Sequence, residues 1–125
     1  MIDFKNAVFL KLKPVSNDAG FQMIGPILIP GESIISSYQT VRDMVVFTSM
    51  RIVAVNVQGL TGKKRDFSTL PYSKIQAFSV ETAGVFDLDC ELELWFSGLG
   101  KVKFDFVGSI NISDIAKYIG EYVLK

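Results

Sequence analysis

The sequence predicts a mainly β fold, a small barrel or two-sheet sandwich of seven antiparallel strands with one C-terminal helix. Three observations lead to this fold class. β-Branched and aromatic residues recur in short runs separated by turn residues. Residues 87–96 and 101–107 alternate polar and apolar side chains with period two, which is typical of half-buried strands. Seven strands without long crossovers, followed by a helix, fit one domain of 125 residues.

The N-terminal segment is predicted to begin with a short helix. Phe4, Val8, Phe9 and Leu12 have roughly helical spacing within residues 2–13, and Pro14 would end the helix. Residues 16–30 are rich in glycine and proline and are predicted to form a loop. We therefore divide the chain into an N-terminal helix and loop extension, residues 1–30, and a single structural unit, residues 31–125.

The remaining elements follow from runs and turns along the chain. Strands are expected at about 33–42, 43–49, 51–58, 64–70, 75–82, 86–97 and 100–107. From residue 112 onward the apolar residues recur at helical spacing, which predicts an amphipathic helix. Asn111 with Asp114 can cap its start. The expected core comprises the inward side chains of the last two strands and the apolar side of this helix: Leu88, Leu92, Leu94, Val102, Phe104, Phe106, Ile112, Ile115, Ile119 and Tyr122.

The last two strands form a hairpin whose register can be predicted. Both apolar faces share one core only if the loop has an odd length. A loop of three residues, 97–99, sets Glu93 beside Lys103 and Trp95 beside Lys101, which favours an ion pair and a cation–π contact. A loop of five residues would place Glu93 opposite Asp105, and like-charge repulsion disfavours that register.

Composition excludes several classes of function. The chain has no histidine, so Ser-His-Asp and Cys-His catalysis are ruled out, and no enzyme activity, cofactor or metal is expected. Thirteen basic residues balance thirteen acidic ones, which argues against nucleic-acid binding. The single cysteine, Cys90, is expected to be a buried hydrophobe in a reducing compartment. Since no secretion signal or membrane-spanning segment is apparent, we expect a cytoplasmic protein.

The acidic residues in strand 86–97 do not fit a calcium site. Asp87, Asp89, Glu91 and Glu93 alternate with apolar residues, and Leu92 stands where a calcium-binding loop needs glycine. Carboxylates spaced along a straight strand diverge from one another. A charged outer face is therefore the favoured interpretation.

Two long segments stand in fixed order along the chain: RDMVVFTSMRIVAVNVQGLTGKK, residues 42–64, and STLPYSKIQAFSVETAGVFDLDCELELW, residues 68–95. Together they resemble the bacterial family of pleckstrin-homology-like (PH-like) domains, and the likeness covers about residues 30–107. The resemblance implies a PH-like small barrel with seven strands in two near-orthogonal sheets and a C-terminal capping helix. It also implies ring-like homo-oligomers without an established enzyme activity or an agreed ligand. Eukaryotic relatives bind phosphoinositides around the first hairpin loop. Here that loop, residues 41–44, has one arginine beside an aspartate, so the lipid function is not carried across.

The basic tract Lys63, Lys64 and Arg65 follows a glycine-rich turn. A nucleotide-binding loop is excluded, because the glycine spacing is too short, a lysine replaces the hydroxyl residue, and a strand follows instead of a helix. A solvated hairpin tip is the favoured interpretation. The alternative is a contact with an anionic lipid or phosphate headgroup, for which Leu60 alone is a modest apolar wedge.

The favoured function is self-assembly into a homo-oligomer, with a ring as the expected form. Strands 43–49 and 51–58 carry apolar residues on both faces, whereas a small barrel has a single interior. The outer face needs a cover, which the N-terminal helix or a neighbouring subunit could provide. The residues assigned to a subunit interface are Val45, Phe47, Val53, Val55 and the outward-facing Trp95. The residues identify no further protein partner.

Overall fold

The computed structural model describes residues 1–86, 88–108 and 110–125. Within these ranges the chain divides into two compact units, one comprising Met1 and Lys13–Pro71, the other Ile2–Leu12 and Tyr72–Lys125. The helices are α1 (Asn17–Ile24) and α2 (Ile112–Val123), with 3-10 turns at Gly25–Ile27 and Tyr72–Lys74. The strands are β1 (Ala7–Val15), β2 (Ile34–Gln39), β3 (Met44–Thr48), β4 (Arg51–Gln58), β5 (Lys64–Pro71), β6 (Ile75–Glu81), β7 (Cys90–Phe96) and β8 (Gly100–Phe106).

The first unit is an antiparallel sheet with a helix on one face. Strands β2 to β5 pair in chain order, and the last three residues of β1 pair with β2. Ser16 caps α1 by accepting a hydrogen bond from the Ala19 N–H at 3.1 Å, and Asp18 lies in the first turn, where a negative charge is favourable. Ile24 of this helix belongs to the buried cluster that covers one face of the sheet.

The second unit combines a parallel and two antiparallel strand pairings with a helix. Residues Ala7–Leu12 of β1 pair in parallel with β8, which pairs with β7, and β7 with β6. Asn111 caps α2 by accepting a hydrogen bond from the Ser113 N–H at 3.1 Å. The predicted core is buried here in β7, β8 and α2, apart from Leu88 and the half-buried Tyr122, whose ring stacks on Tyr72.

The prediction of a helix in residues 2–13 is wrong, because Ala7–Val15 is a strand. Lys11 has a φ of 57°, and the register with β8 shifts between Phe9 and Leu12. Because of this bulge, the buried side chains of Phe9 and Leu12 lie three residues apart in a strand, a spacing that is also typical of a helix. The helix lies instead at 17–24, inside the expected loop. The strand expected from residue 86 begins at Cys90, so Leu88 is exposed, and Asp87 lies outside the described residues.

Candidate functional site

Four of the residues assigned to a subunit interface are buried within the chain itself. These residues lie in β3, which is buried throughout, and in the buried part of β4: Val45, Phe47, Val53 and Val55. The register pairs Val45 with Ala54 and Val46 with Val53, so the four do not share one face. Since they are already covered, the argument that placed them at an interface no longer applies.

The cover over one face of these strands comes from the N-terminal part of the chain. Met44, Val46, Val53 and Val55 form a buried cluster with Ile24 of α1. Partly buried side chains before, within and after α1 pack against the cluster, together with others from the sheet: Val15, Ala19, Met23, Ile27, Leu28, Ile34, Val57 and Phe67. Each fully buried aliphatic side chain contributes about 1.5–3 kcal/mol relative to exposure. The outer apolar face therefore stabilises the fold, with α1 rather than residues 2–13 as its cover.

The basic tract does not form a convergent cluster. Lys63 ends the turn between β4 and β5, which Gly59 and Gly62 shape with φ values of 76° and 68°. Lys64 and Arg65 are the first residues of β5, paired with Gln58 and Val57. Successive strand residues point to opposite faces, so these two charges diverge. All three side chains are exposed.

A second loop brings another cation to this turn. The side chain of Arg42, in the turn between β2 and β3, donates a hydrogen bond to the carbonyl oxygen of Gly59. Asp43 does not oppose this charge at the tip. Its carboxylate accepts hydrogen bonds from the Val57 N–H at 3.0 Å and the Asn56 amide at 3.2 Å, which ties the loop to β4. We call residues 40–43 and 59–65 the basic loops.

Apolar side chains occupy the tips of both basic loops. Val41 is 98% exposed and Leu60 is fully exposed. Sequence reasoning identified Leu60 but missed Val41 and the approach of Arg42, because only the fold brings the two turns together. The basic loops thus combine two apolar tips with Arg42, Lys63 and Lys64.

The second unit has a charged outer face. The hairpin register is the predicted one, with Glu93 opposite Lys103 and Trp95 opposite Lys101 across a three-residue loop. The ion pairs run diagonally instead, from Lys101 to Glu93 at 3.7 Å and from Lys103 to Glu91 at 3.2 Å. Hydrogen bonding to Glu91 raises the pKa of Lys103. Trp95 is 46% exposed, so it is the one residue of the assigned interface that presents a substantial surface.

One row of this face opposes like charges. Glu81 pairs with Glu91 across β6 and β7, and Glu91 pairs with Asp105 across β7 and β8. Direct opposition of like charges destabilises a sheet. The ion pair between Lys103 and Glu91 offsets part of this repulsion, and Glu81 is the exposed carboxylate at the end of the row.

The loop between β6 and β7 follows Glu81 and carries exposed apolar side chains. Val85 and Phe86 are 86% and 99% exposed, and Leu88 is 67% exposed. We call these three residues the apolar loop. This loop is hard to recognise in the sequence, because Phe86 and Leu88 continue the polar–apolar alternation of β7 and are therefore predicted to belong to the strand.

The described residues offer little for catalysis or metal binding. Among them, no group of three or more aspartate, glutamate or cysteine side chains is arranged to hold a metal ion. Burial raises the pKa of the Cys90 thiol, which disfavours the reactive thiolate. In the same part of the chain, neither helix has the length and apolar character needed to span a membrane.

Comparison with known proteins gives a consistent result. A family model described as bacterial PH domain matches residues 3–123. The uncharacterized protein YjqA of Bacillus subtilis is 44% identical over 107 residues, which cover 84% of this chain and 86% of that protein. The uncharacterized protein YozO of the same organism is 27% identical over 109 residues, covering 87% and 94%.

Solved structures agree with the family model. A DUF1696 family protein with a pleckstrin-homology domain from Shewanella loihica has a TM-score of 0.77 and 37% identity, covering 90% of this chain and 97% of that one. A pleckstrin homology domain from Shewanella amazonensis has a TM-score of 0.66 and 38% identity, covering 89% and 90%. The mainly β, PH-like fold class expected from the sequence is confirmed. The described residues form eight strands instead of the expected seven, and the additional strand β1 pairs in parallel with β8.

Proposed function

Because the chain belongs to the bacterial PH domain family, we propose that it is a non-enzymatic interaction module that self-associates into a homo-oligomer, with a ring as its closed form. The observation that carries this proposal is the apolar loop. The chain buries both faces of its most apolar strands, yet leaves Val85, Phe86 and Leu88 in solvent. Contiguous exposed apolar residues on a soluble protein mark interaction sites.

The non-enzymatic part of the proposal is supported by chemistry. The sequence has no histidine, and the thiol of Cys90 is buried with a raised pKa. The described side chains therefore offer neither a histidine base nor an accessible thiol nucleophile. The single free cysteine suits a reducing compartment, and we place the function in the cytoplasm.

Light scattering tests the self-association. We expect the chain at micromolar concentration to have several times its mass of 13.9 kDa. Replacing two residues of the apolar loop, Val85→Ser with Phe86→Ser, should lower that mass while circular dichroism stays unchanged, since both side chains are exposed.

The matched control is Leu99→Ser with Leu124→Ser, which removes two other exposed apolar side chains and should leave the mass unchanged. A wild-type chain that remains monomeric would refute the proposal. An equal loss of mass in both double variants would show that general surface apolarity drives the association.

The second candidate function is contact with an anionic lipid or phosphate headgroup through the basic loops. Val41 and Leu60 would enter the interfacial region while Arg42, Lys63 and Lys64 meet the headgroups, and Arg65 adds charge from the opposite face of β5. Each such cation contributes about 1 kcal/mol near an anionic surface.

Sedimentation with vesicles tests this second candidate. Binding to phosphatidylserine vesicles should exceed binding to phosphatidylcholine vesicles, weaken as salt increases, and be lost in Lys63→Glu with Lys64→Glu. Equal, negligible sedimentation with both vesicles at low salt would exclude the candidate.

A further inference from the structure

The two units carry opposite charge, although the chain as a whole is neutral. The unit made of Met1 and Lys13–Pro71 has six basic and four acidic side chains, and the other unit has seven basic and nine acidic ones. The first unit therefore has an excess of two positive charges, and the second has an excess of two negative charges. The asymmetry favours contact between unlike units of neighbouring copies.

Local interactions concentrate the positive charge of the first unit at the basic loops. Three of its four carboxylates are engaged within the unit. Glu32 pairs with Arg51, Asp43 accepts hydrogen bonds from Asn56 and Val57, and Asp66 pairs with the Met1 amine. Among the described residues, the salt bridges of this unit use neither Lys63 nor Lys64.

An exposed carboxylate precedes the apolar loop in the second unit. Glu81 ends β6 four residues before Val85, and its cross-strand neighbour is Glu91. Lys103 forms an ion pair with Glu91, so Glu81 supplies the exposed negative charge at this end of β6. Apolar side chains flanked by carboxylates are poorly suited to an anionic membrane, but they match a surface of apolar tips flanked by cations.

We infer that the apolar loop of one copy docks on the basic loops of the next copy. Phe86 and Val85 would contact Val41 and Leu60, while the Glu81 carboxylate faces the cations around Lys64. The contact is heterologous, because each copy uses two different surfaces, and such contacts produce rings or open filaments. This inference depends on the proposed self-association and adds both contact surfaces and their polarity.

Mixing two surface variants tests the polarity of the contact. Lys63→Glu with Lys64→Glu disables the basic loops, and Val85→Ser with Phe86→Ser disables the apolar loop. Each variant alone should scatter as a monomer, since one half of every contact is missing. In an equimolar mixture, one variant supplies an intact apolar loop and the other intact basic loops. We expect a capped heterodimer whose mass is about twice that of either variant alone.

The control is Lys5→Glu with Lys117→Glu, which makes the same change in net charge at two exposed lysines outside both surfaces. This variant should assemble like the wild type. Circular dichroism of every variant should match the wild type, because all the substituted side chains are exposed.

The other outcomes are distinguishable. If the wild type assembles and both double variants still assemble, self-association stands and these surfaces are wrong. If each variant is monomeric and the mixture is too, the contact is isologous and the inference is overturned. If the wild type is monomeric, the inference and the proposed self-association both fall. Loss of vesicle binding in the Lys63 and Lys64 variant would then assign the basic loops to a membrane instead.

Discussion

At the scale of single residues, the most constrained group is the ion pair of Glu32 and Arg51. Arg51 donates two hydrogen bonds to the Glu32 carboxylate, at 2.8 and 2.9 Å, and a further one to the Ile27 carbonyl at 2.7 Å. Thr48 donates a hydrogen bond to the same carboxylate at 2.6 Å. The Glu32 side chain is fully buried. These contacts fasten the segment after α1 to the turn between β3 and β4.

The Glu32 carboxylate should make folding sensitive to acid. Hydrogen bonding to Arg51 lowers the pKa of Glu32 from 4.5 to about 2. Since the folded-state pKa lies below the unfolded one, the stabilisation is complete above pH 4.5 and is lost as the pH falls toward 2. We expect this group to account for at most about 3 kcal/mol of that loss. Urea unfolding at a series of pH values measures the free energy of unfolding as a function of pH.

The substitution Glu32→Gln identifies the group responsible. It should lower the free energy of unfolding at neutral pH by on the order of 3 kcal/mol, because Arg51 would lose its counter-charge. It should also make the free energy of unfolding less dependent on pH below pH 4.5. Glu121→Gln, at an exposed position of α2, makes the same chemical change and should leave both the stability and its pH dependence unchanged. An acid-induced decline in Glu32→Gln equal to that of the wild type would show that another carboxylate causes it.

At the scale of elements, the sequence predicted the hairpins well and the N-terminal segment poorly. Alternation in β7 and β8, with the charges of Glu93 and Lys103, was enough to fix a register, because both depend on local pairing. The bulge at Lys11 could not be predicted, since its unusual φ is maintained by the pairing of β1 with β8. Helix α1 was missed because Gly20 and the following Gly25–Pro26 weaken the helical signal in a short segment.

In the candidate functional sites, too, features set by local sequence could be predicted, whereas those set by tertiary packing could not. The exposed positions of Lys63, Lys64 and Trp95 could be predicted, since turns and alternating strands determine them locally. The burial of Val53 and Val55 could not be predicted, because it depends on where α1 packs. The family resemblance covered about residues 30–107, whereas the family model extends over residues 3–123. The N-terminal segment is therefore part of the family's domain.

The fit of α1 against β2 can be tested at Gly20. A Cβ atom at this position would lie 2.1 Å from the Ser37 Oγ and 3.1 Å from its Cβ. Gly20→Ala should therefore destabilise the protein by about 1–3 kcal/mol through overpacking, despite alanine's higher helix propensity. Adding Ser37→Ala removes the nearest atom and should restore part of the loss in urea unfolding.

Gly120 provides the matched control in α2. A Cβ atom there would find its nearest neighbours at 3.9 Å, an ordinary contact. Gly120→Ala should stabilise the protein by about 0.5–1 kcal/mol, since the helix gains propensity without a clash. Opposite signs for the two substitutions are expected. A stabilising Gly20→Ala would mean that α1 does not pack closely on Ser37.

At the scale of the whole molecule, the relevant property is the separation of charge within a neutral chain. Three modes of association predict different responses to salt. Pairing between the edge strands β5 and β6 of neighbouring copies would depend on backbone hydrogen bonds, and purely apolar contact would depend on burial. Neither mode weakens when ions screen charges. Docking of the apolar loop on the basic loops combines burial with attraction between opposite charges. Ions screen this attraction, so this mode of association weakens as salt increases.

Salt should therefore reduce the mass of the assembly without unfolding the chain. The screening length falls from about 10 Å at 0.1 M to about 3 Å at 1 M ionic strength, which removes most of the attraction between exposed charges. We expect light scattering to report a lower mass in 1 M sodium chloride than in 0.1 M, with circular dichroism unchanged. The buried ion pair of Glu32 and Arg51 is screened much less, so the fold should persist. A mass that stays constant or rises with salt would indicate edge pairing or apolar contact as the main source of association, and the charge separation would then have no part in assembly.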